Sequence, residues 1–324
     1  MKKDEFWLKR VVNFILNMRL HIGVLFAVPN FFYGLFVALA LSDWQLDLLL
    51  FSIDRVLGGI VIALTYLPFV FVINDYFDAP YDALNPKKCE RNFFCNKRIR
   101  NHLLLVFLTI VLPIACMVIF SCLLGLELFI LTILVLLIGF FYSAPPFRLK
   151  EMPIADFASH GIYVGSYFFL IGATAIISLY NLLKEPLFLL LMFFTWVDGA
   201  QLHYFSQLLD YDIDYEGSQR TTSVWLGRKN SLLLLKGIVI VMLLCLPLYF
   251  YLNDTLWQVI PLLFIQIIII LGLALIGVYL WQVRGGSEKF EKIVHRSAWY
   301  RIYFVYPFAL LSILLITLPN FLIG

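Results

Sequence analysis

Two short stretches of this chain gather acidic side chains at spacings that stack several on one helical face. The first holds Asn74, Asp75, Asp78 and Asp82; at 100° per residue its aspartates lie within about 60° of one another, with Asn74 one turn below Asp78. The second holds Asp210, Asp212, Asp214 and Glu216, with Asp210 and Asp214 one turn apart. Stacked carboxylates repel, so such a face costs stability unless a cation answers it. Hard oxygen donors at this spacing suit Mg2+, which takes one or two carboxylates together with substrate phosphates. Two such clusters facing one another would hold a diphosphate and neutralise the charge that grows on it as it leaves. The plainer alternative is solvated acids balancing nearby bases.

Bases do lie close by. Lys87, Lys88 and Arg91 follow the first cluster and Arg220 the second, while Arg148 and Lys150 end the segment Tyr-Ser-Ala-Pro-Pro-Phe-Arg-Leu-Lys at 142–150. Each alone reads as a residue that sets membrane orientation; beside the acids they make a diphosphate a better ligand than a bare metal ion. Polar side chains also interrupt apolar runs. Asp156, Ser159, His160 and Tyr163 share one helical face; His203, Gln207, Asp210 and Asp214 form a stripe; Asp198 lies deeper in the same run. Ionisable groups inside a bilayer are costly and face a cavity or a partner. These would bind an acceptor or remove a proton, or else form hydrogen bonds between helices.

The elements that must carry these residues are apolar helices. Of 324 residues 62% are hydrophobic and 14% charged, and the mean hydropathy is +0.91. A soluble domain is about 45–50% apolar and about 25% charged. The composition excludes a soluble enzyme, a disordered chain and a disulfide-stapled module. Spanning helices need about 20 apolar residues. Nine runs qualify: 20–41, 56–74, 103–124, 126–143, 155–179, 186–209, 232–252, 256–283 and 299–320, the third and fourth parted only near Gly125. Lys and Arg mark the cytoplasmic side. With these spans, 22 of the 24 basic residues fall on one side, leaving Arg55 and Lys184. The N-terminus and the loops that carry the acids are then cytoplasmic, in a cell membrane, and the C-terminus is outside.

The five cysteines (Cys89, Cys95, Cys116, Cys122, Cys245) make no CxxC pair and support neither a zinc site nor a disulfide framework. The N-terminus carries acids and lacks a small-residue cleavage site, so no removable signal peptide is read there. No linker divides the chain, and residues 1–324 are expected to form one integral-membrane domain. A weak echo links INDYFDAPYD at 73–82 with LLDYDIDYEG at 208–217, as in paired repeats with a site between them.

Together these residues resemble the UbiA superfamily of intramembrane prenyltransferases. The superfamily's NDxxDxxxD motif is intact at Asn74–Asp82, and its DxxxD motif with a following Gly, basic residue and Thr matches Asp210, Asp214, Gly217, Arg220 and Thr221. The YSxPPxRxK signature matches Tyr142, Ser143, Pro145, Pro146, Arg148 and Lys150. The resemblance implies an all-α polytopic bundle of about nine helices around a central cavity, which opens laterally to the bilayer. It implies Mg2+ held by Asn74, Asp75, Asp78, Asp82, Asp210 and Asp214, with Asp75, Asp78, Asp210 and Asp214 catalytic. An allylic prenyl diphosphate would ionise, and an electron-rich lipophilic acceptor would attack the carbocation. Asn74, Lys88, Arg91, Tyr142, Arg148, Lys150, Arg220, Asp156, Asp198 and His203 would bind substrates.

Two departures stand out. Members often continue from the first motif with Arg-Pro, whereas here Arg91 is followed by Asn92. The stretch RLKEMPIADFASHGIY at 148–163 looks more like the lycopene elongase and carotenoid-modifying branch than the quinone-pathway enzymes. Two other classes compete: a transporter, which would need a route to both membrane faces, and a non-catalytic subunit of a larger complex, against which the intact motifs argue. The expected acceptor is a carotenoid-type molecule or an aromatic quinone precursor; nothing points to nucleic acid.

Overall fold

The structure is a computed structural model, and it describes residues 27–252 apart from 43–44, 84–88, 90–91 and 218. Among the described residues every regular element is helical. Four helices are long and apolar enough to cross a membrane: Ile53–Asp82, Phe107–Leu124, Leu126–Ser143 and Pro186–Leu208. The apolar helix Val28–Leu41 is shorter. Expected spans 256–283 and 299–320, and residues 20–26 of the first, lie outside the described residues. The described residues divide into two compact units, one built on 53–150 and the other on 29–52 and 151–252.

The first unit is organised by a long helix. We label Val28–Leu41 α1 and Ile53–Asp82 α2. At 1.5 Å per residue the 30 residues of α2 reach about 45 Å, more than the ~30 Å hydrocarbon thickness. Its polar end therefore has length to project beyond the apolar slab. The apolar run predicts a span that stops at 74, but the helix continues through the whole first acidic cluster, with Pro68 and Pro80 inside it. Spanning helices tolerate interior proline where neighbouring groups satisfy the freed backbone. Helices α3 (Leu112–Leu124) and α4 (Leu126–Ser143) meet at Gly125, whose φ of 109° suits a residue without Cβ, so the expected break falls at that glycine. Tyr66 of α2 donates its hydroxyl to the Val135 carbonyl of α4 at 2.8 Å, a buried tie between spans.

In the second unit α1 packs on α6 (Tyr167–Thr174), which follows α5 (Ala155–His160) through a wide-turn stretch, Gly161–Ser166. The two backbones nearly touch. A Cβ on Gly34 would lie 1.8 Å from the Phe169 carbonyl oxygen, and one on Gly172 would lie 1.8 Å from that of Phe31. Small residues at such crossings let helices approach where no hydrophobic force separates protein from lipid. Helix α7 (Pro186–Leu209) matches the expected 186–209 and buries Phe188, Leu191, Phe194 and Val197 with Tyr33, Val37 and Phe169. A short α8 (Tyr211–Glu216) then leads to α9 (Thr222–Leu252), which kinks at Gly227. The expected span 232–252 lies within α9, whose first residues, 222–226, are set off from the rest by the non-helical Gly227 (φ 73°, ψ 161°).

Candidate functional site

In the first unit, basic side chains from the turn after α4 reach back to the last turns of α2. Lys150 Nζ donates to Asn74 Oδ1 at 3.0 Å and also to Asp78 Oδ2. Ser143 Oγ donates to the same Asn74 oxygen at 2.8 Å. Arg148 Nη2 lies 3.4 Å from Asp78 Oδ1, Nη1 lies 3.4 Å from the Ser143 carbonyl, and the guanidinium sits 5.2 Å from the Tyr81 ring centre. Arg148 adopts φ 44°, the left-handed region that turns a chain sharply. Tyr142 is buried beside this turn at the end of α4. The Asp78, Arg148 and Lys150 side chains are only 16–18% exposed, so their attraction is screened less than at an open surface.

Asn92 completes the arrangement. Its Nδ2 donates to the Asp75 carbonyl at 2.7 Å and to Asp82 Oδ2 at 2.8 Å, and its Oδ1 accepts from Phe94 N at 2.9 Å. The departure from Arg-Pro therefore has a use: an amide binds both ends of the acidic run, which proline could not do. Nearby, burial and the adjacent Cys89 push the Cys95 thiol up to about 12, with Asp82 and Asp75 adding to the shift, so it stays protonated at neutral pH. Lys87, Lys88 and Arg91 lie outside the described residues.

The donor chemistry here fits Mg2+. The oxygens of Asn74 and Asp78 already converge on one cationic group, the Lys150 ammonium, and a hard divalent cation takes oxygens of that kind. Among the described residues no three His, Cys, Asp or Glu side chains gather on one point. The reason is visible in this unit: Asp78 is met by Lys150 and Arg148, and Asp82 by Asn92, rather than by one another.

The second acidic run, in the other unit, is built differently. Asp210 closes α7, its N–H donating to the Ser206 carbonyl at 3.0 Å, and its side chain is exposed. Asp214 N donates to the Asp210 carbonyl at 2.9 Å, so the expected one-turn spacing is present. Asp214 is buried, and Thr221 Oγ1 lies 3.4 Å from its Oδ2. Asp212 faces outward and pairs with Arg228, while Arg220 is exposed.

Of the polar residues within the spans, Asp156 is fully buried and surrounded by donors: Thr222 N at 2.6 Å, Gln207 Nε2 and Phe157 N at 2.7 Å each, and the Thr222 hydroxyl. Both its oxygens are engaged by protein, which is the geometry of an anchor rather than of an acceptor subsite. His160 and His203 stack, ring centres 3.7 Å apart and 10° from parallel, and the Tyr163 hydroxyl lies 2.7 Å from His160 Nδ1. Asp198 is buried on α7, as is Gln201, whose Oε1 has no hydrogen-bond partner among the described residues. Asn92, Thr222 and Ser223 were not legible as site residues. The signals were slight: an Asn two residues before the Phe94 amide it caps, and three hydroxyls in a row after the second motif.

A model of the UbiA prenyltransferase family matches residues 28–300. A lycopene elongase/hydratase of Haloferax volcanii is 34% identical over 172 residues, 50% of each chain. The chain spans about half the length of the curated relatives it matches. Among solved structures, the apo UbiA homolog from Aeropyrum pernix K1 has a TM-score of 0.62 at 17% identity, covering 84% of this chain and 95% of that one. A UbiA homolog from Archaeoglobus fulgidus bound to GPP and Mg2+ has a TM-score of 0.57 at 16% identity, covering 86% and 99%.

Proposed function

Because the chain belongs to the UbiA prenyltransferase family, we propose that it transfers an isoprenyl chain from an allylic prenyl diphosphate to a lipophilic acceptor within the membrane. The observation that carries this reading is the convergence of Asn74 and Asp78 on Lys150, with Arg148 alongside. Hard oxygen donors and phosphate-binding bases stand on one another there, ready to exchange partners when a metal diphosphate arrives.

In this reading Asn74, Asp75, Asp78 and Asp82 of the first run, and Asp210 and Asp214 of the second, would hold Mg2+. When bound, Mg2+ offsets the negative charge that develops on the departing diphosphate. Lys150, Arg148 and Arg220 give charge-assisted hydrogen bonds to diphosphate oxygens, as do Lys88 and Arg91. The allylic C–O bond breaks with its electron pair going to the diphosphate, and the acceptor's π electrons attack the carbocation. Apolar and aromatic walls exclude the water that would quench it. A proton then leaves the adduct. Tyr142, Asp198 and His203 serve substrate binding, and the stacked His160–His203 pair is the candidate to receive that proton. A carotenoid-type acceptor is supported by the lycopene elongase/hydratase relatives; an aromatic quinone precursor is the other class. The full chain would cross the cell membrane about nine times, with the acidic runs cytoplasmic and the C-terminus outside. No observation favours transport.

The test is purified full-length protein with Mg2+, a panel of isoprenyl diphosphates and both acceptor classes, read by mass spectrometry. Asp75→Ala and Asp210→Ala should each lose Mg2+-dependent diphosphate release by about 10²-fold or more while remaining folded. Full turnover in either variant would sink the two-run mechanism.

A further inference from the structure

The carboxyl of Asp156 sits 66 positions from the residue it binds most tightly. Thr222 is the first residue of α9, and its N–H is one of the donors that a helix start leaves without an intrahelical partner. Asp156 Oδ2 accepts that N–H at 2.6 Å, and Asp156 Oδ1 accepts the Thr222 hydroxyl. The same threonine oxygen accepts the Ile154 N–H at 2.6 Å. Ile154 has φ 72° and ψ −47°, a backbone that a β-branched residue adopts only when its surroundings hold it there. Residues 154–156 and Thr222 are thus clamped together.

The residues on either side of Thr222 point to other partners. Thr221 immediately precedes α9, its carbonyl accepting from Trp225 N at 2.9 Å, and its hydroxyl lies 3.4 Å from Asp214 Oδ2 and 3.2 Å from Ser223 Oγ. Ser223 binds Gln207 twice, N to Oε1 and Oγ to the carbonyl, each at 3.3 Å. Gln207 in turn donates to Asp156 Oδ2 at 2.7 Å, which closes the ring. Every member from Asp156 to Ser223 is buried.

We propose that Asp156 is a positioning residue for the second acidic run: it fixes the start of α9, and through Thr222 and Thr221 it sets where the Asp214 carboxylate sits for its metal ion. This gives the carboxyl a role other than touching the acceptor. Thr221 and Thr222 share a peptide unit, so releasing Thr222 from Asp156 frees the backbone that aims the Thr221 hydroxyl at Asp214. The inference rests on the reading of Asp214 as a metal ligand.

The experiment measures Mn2+ binding to full-length protein by the loss of the free-ion electron paramagnetic resonance signal, without prenyl diphosphate, alongside the Mg2+ midpoint for turnover. The variants are Asp214→Ala, Thr222→Val, Thr222→Ser and Asp156→Asn. Thr222→Val and Asp156→Asn should each weaken Mn2+ binding by about tenfold, as expected for one lost hydrogen bond to a charged group. The Mg2+ midpoint should move in parallel and the acceptor KM should stay put. Thr222→Ser, which keeps the hydroxyl, should bind like wild type. A purely structural role would lower the folded fraction and leave the midpoint alone. Folded Thr222→Val with unchanged binding overturns the inference, as does failure of both Thr222→Val and Asp156→Asn to fold. If Asp214→Ala itself binds Mn2+ like wild type, the metal-ligand reading has failed; if only Asp214→Ala is impaired, the positioning step alone has failed.

Discussion

Asp78 in one unit and Asp156 in the other are both acids at a helix end with several partners, and the partners are of opposite kinds. Asp78 is met by two cations, Lys150 and Arg148, and is 18% exposed. Asp156 is met by hydroxyl and amide donors and is fully buried. A carboxylate held by ammonium and guanidinium groups at the edge of the protein exchanges them for another cation at modest cost, because the released bases find water or phosphate. A carboxyl saturated by neutral donors in the interior has no such exchange open, since each released donor would be left unsatisfied. Residue type does not separate the two; the nature of the answering groups does. The first region is arranged to be taken apart by a ligand, and the second to stay together.

The sharpest way to break that contrast is to delete each acid. Asp78→Ala should lose about 10²–10³-fold in Mg2+-dependent turnover, the usual size for removing a group that stabilises transition-state charge. Its thermal midpoint should change little, which differential scanning in detergent would read. Asp156→Ala should do the reverse at the level of folding, costing about 3 kcal/mol or more by stranding several buried donors. A stable, well-folded Asp156→Ala protein would erase the distinction.

Lys150→Met sharpens the comparison from the cation's side. The ammonium competes for Asn74 and Asp78 oxygens when no ligand is bound, so its removal should tighten Mn2+ binding measured without diphosphate. The same variant should raise the diphosphate KM by about tenfold, the loss of one charge-assisted hydrogen bond. Both changes going the same way would mean that Lys150 is not an exchangeable partner. Asn92→Ala should be milder, about 1–2 kcal/mol of stability with a small loss of activity, because it frees Asp82 Oδ2 but leaves the cations in place.

The acids themselves were legible because chemistry and spacing coincide: Asp75, Asp78 and Asp82 stay on one continuous helix, and Asp210 and Asp214 are joined by a one-turn backbone bond. The bases of the 142–150 segment were legible for the same reason. Helix ends were less so. Hydropathy ends α2 at 74, yet the helix runs to Asp82, since backbone bonding continues where the side chains turn polar, and the helical stretch 222–226 ahead of the Gly227 kink carries too short an apolar run to be read as a span. The role of Asp156 was hidden for a different reason. Its partners Gln207 and Thr222 lie 51 and 66 positions away, and no periodicity within one helix encodes a hydrogen bond between three. Asn92 was read only as a departure from a pattern, although its side chain binds the Asp75 carbonyl and Asp82 Oδ2.

The smallest effect should come from the acid that belongs to neither class. Asp212 lies between Asp210 and Asp214 in sequence, but its side chain is 73% exposed and its partner Arg228 is 58% exposed. Arg228 also rests 5.3 Å from the Tyr211 ring centre, so the guanidinium keeps a neighbour if the carboxylate is lost. Pairs this open are screened by water and salt and contribute about 0.2–1 kcal/mol. Asp212→Asn should therefore shift the thermal midpoint by no more than a degree or two, shrinking further in high salt, and leave the Mg2+ midpoint where it was. Loss of turnover comparable to that of Asp210→Ala would show that position in the run, rather than the company each carboxylate keeps, decides which acids matter.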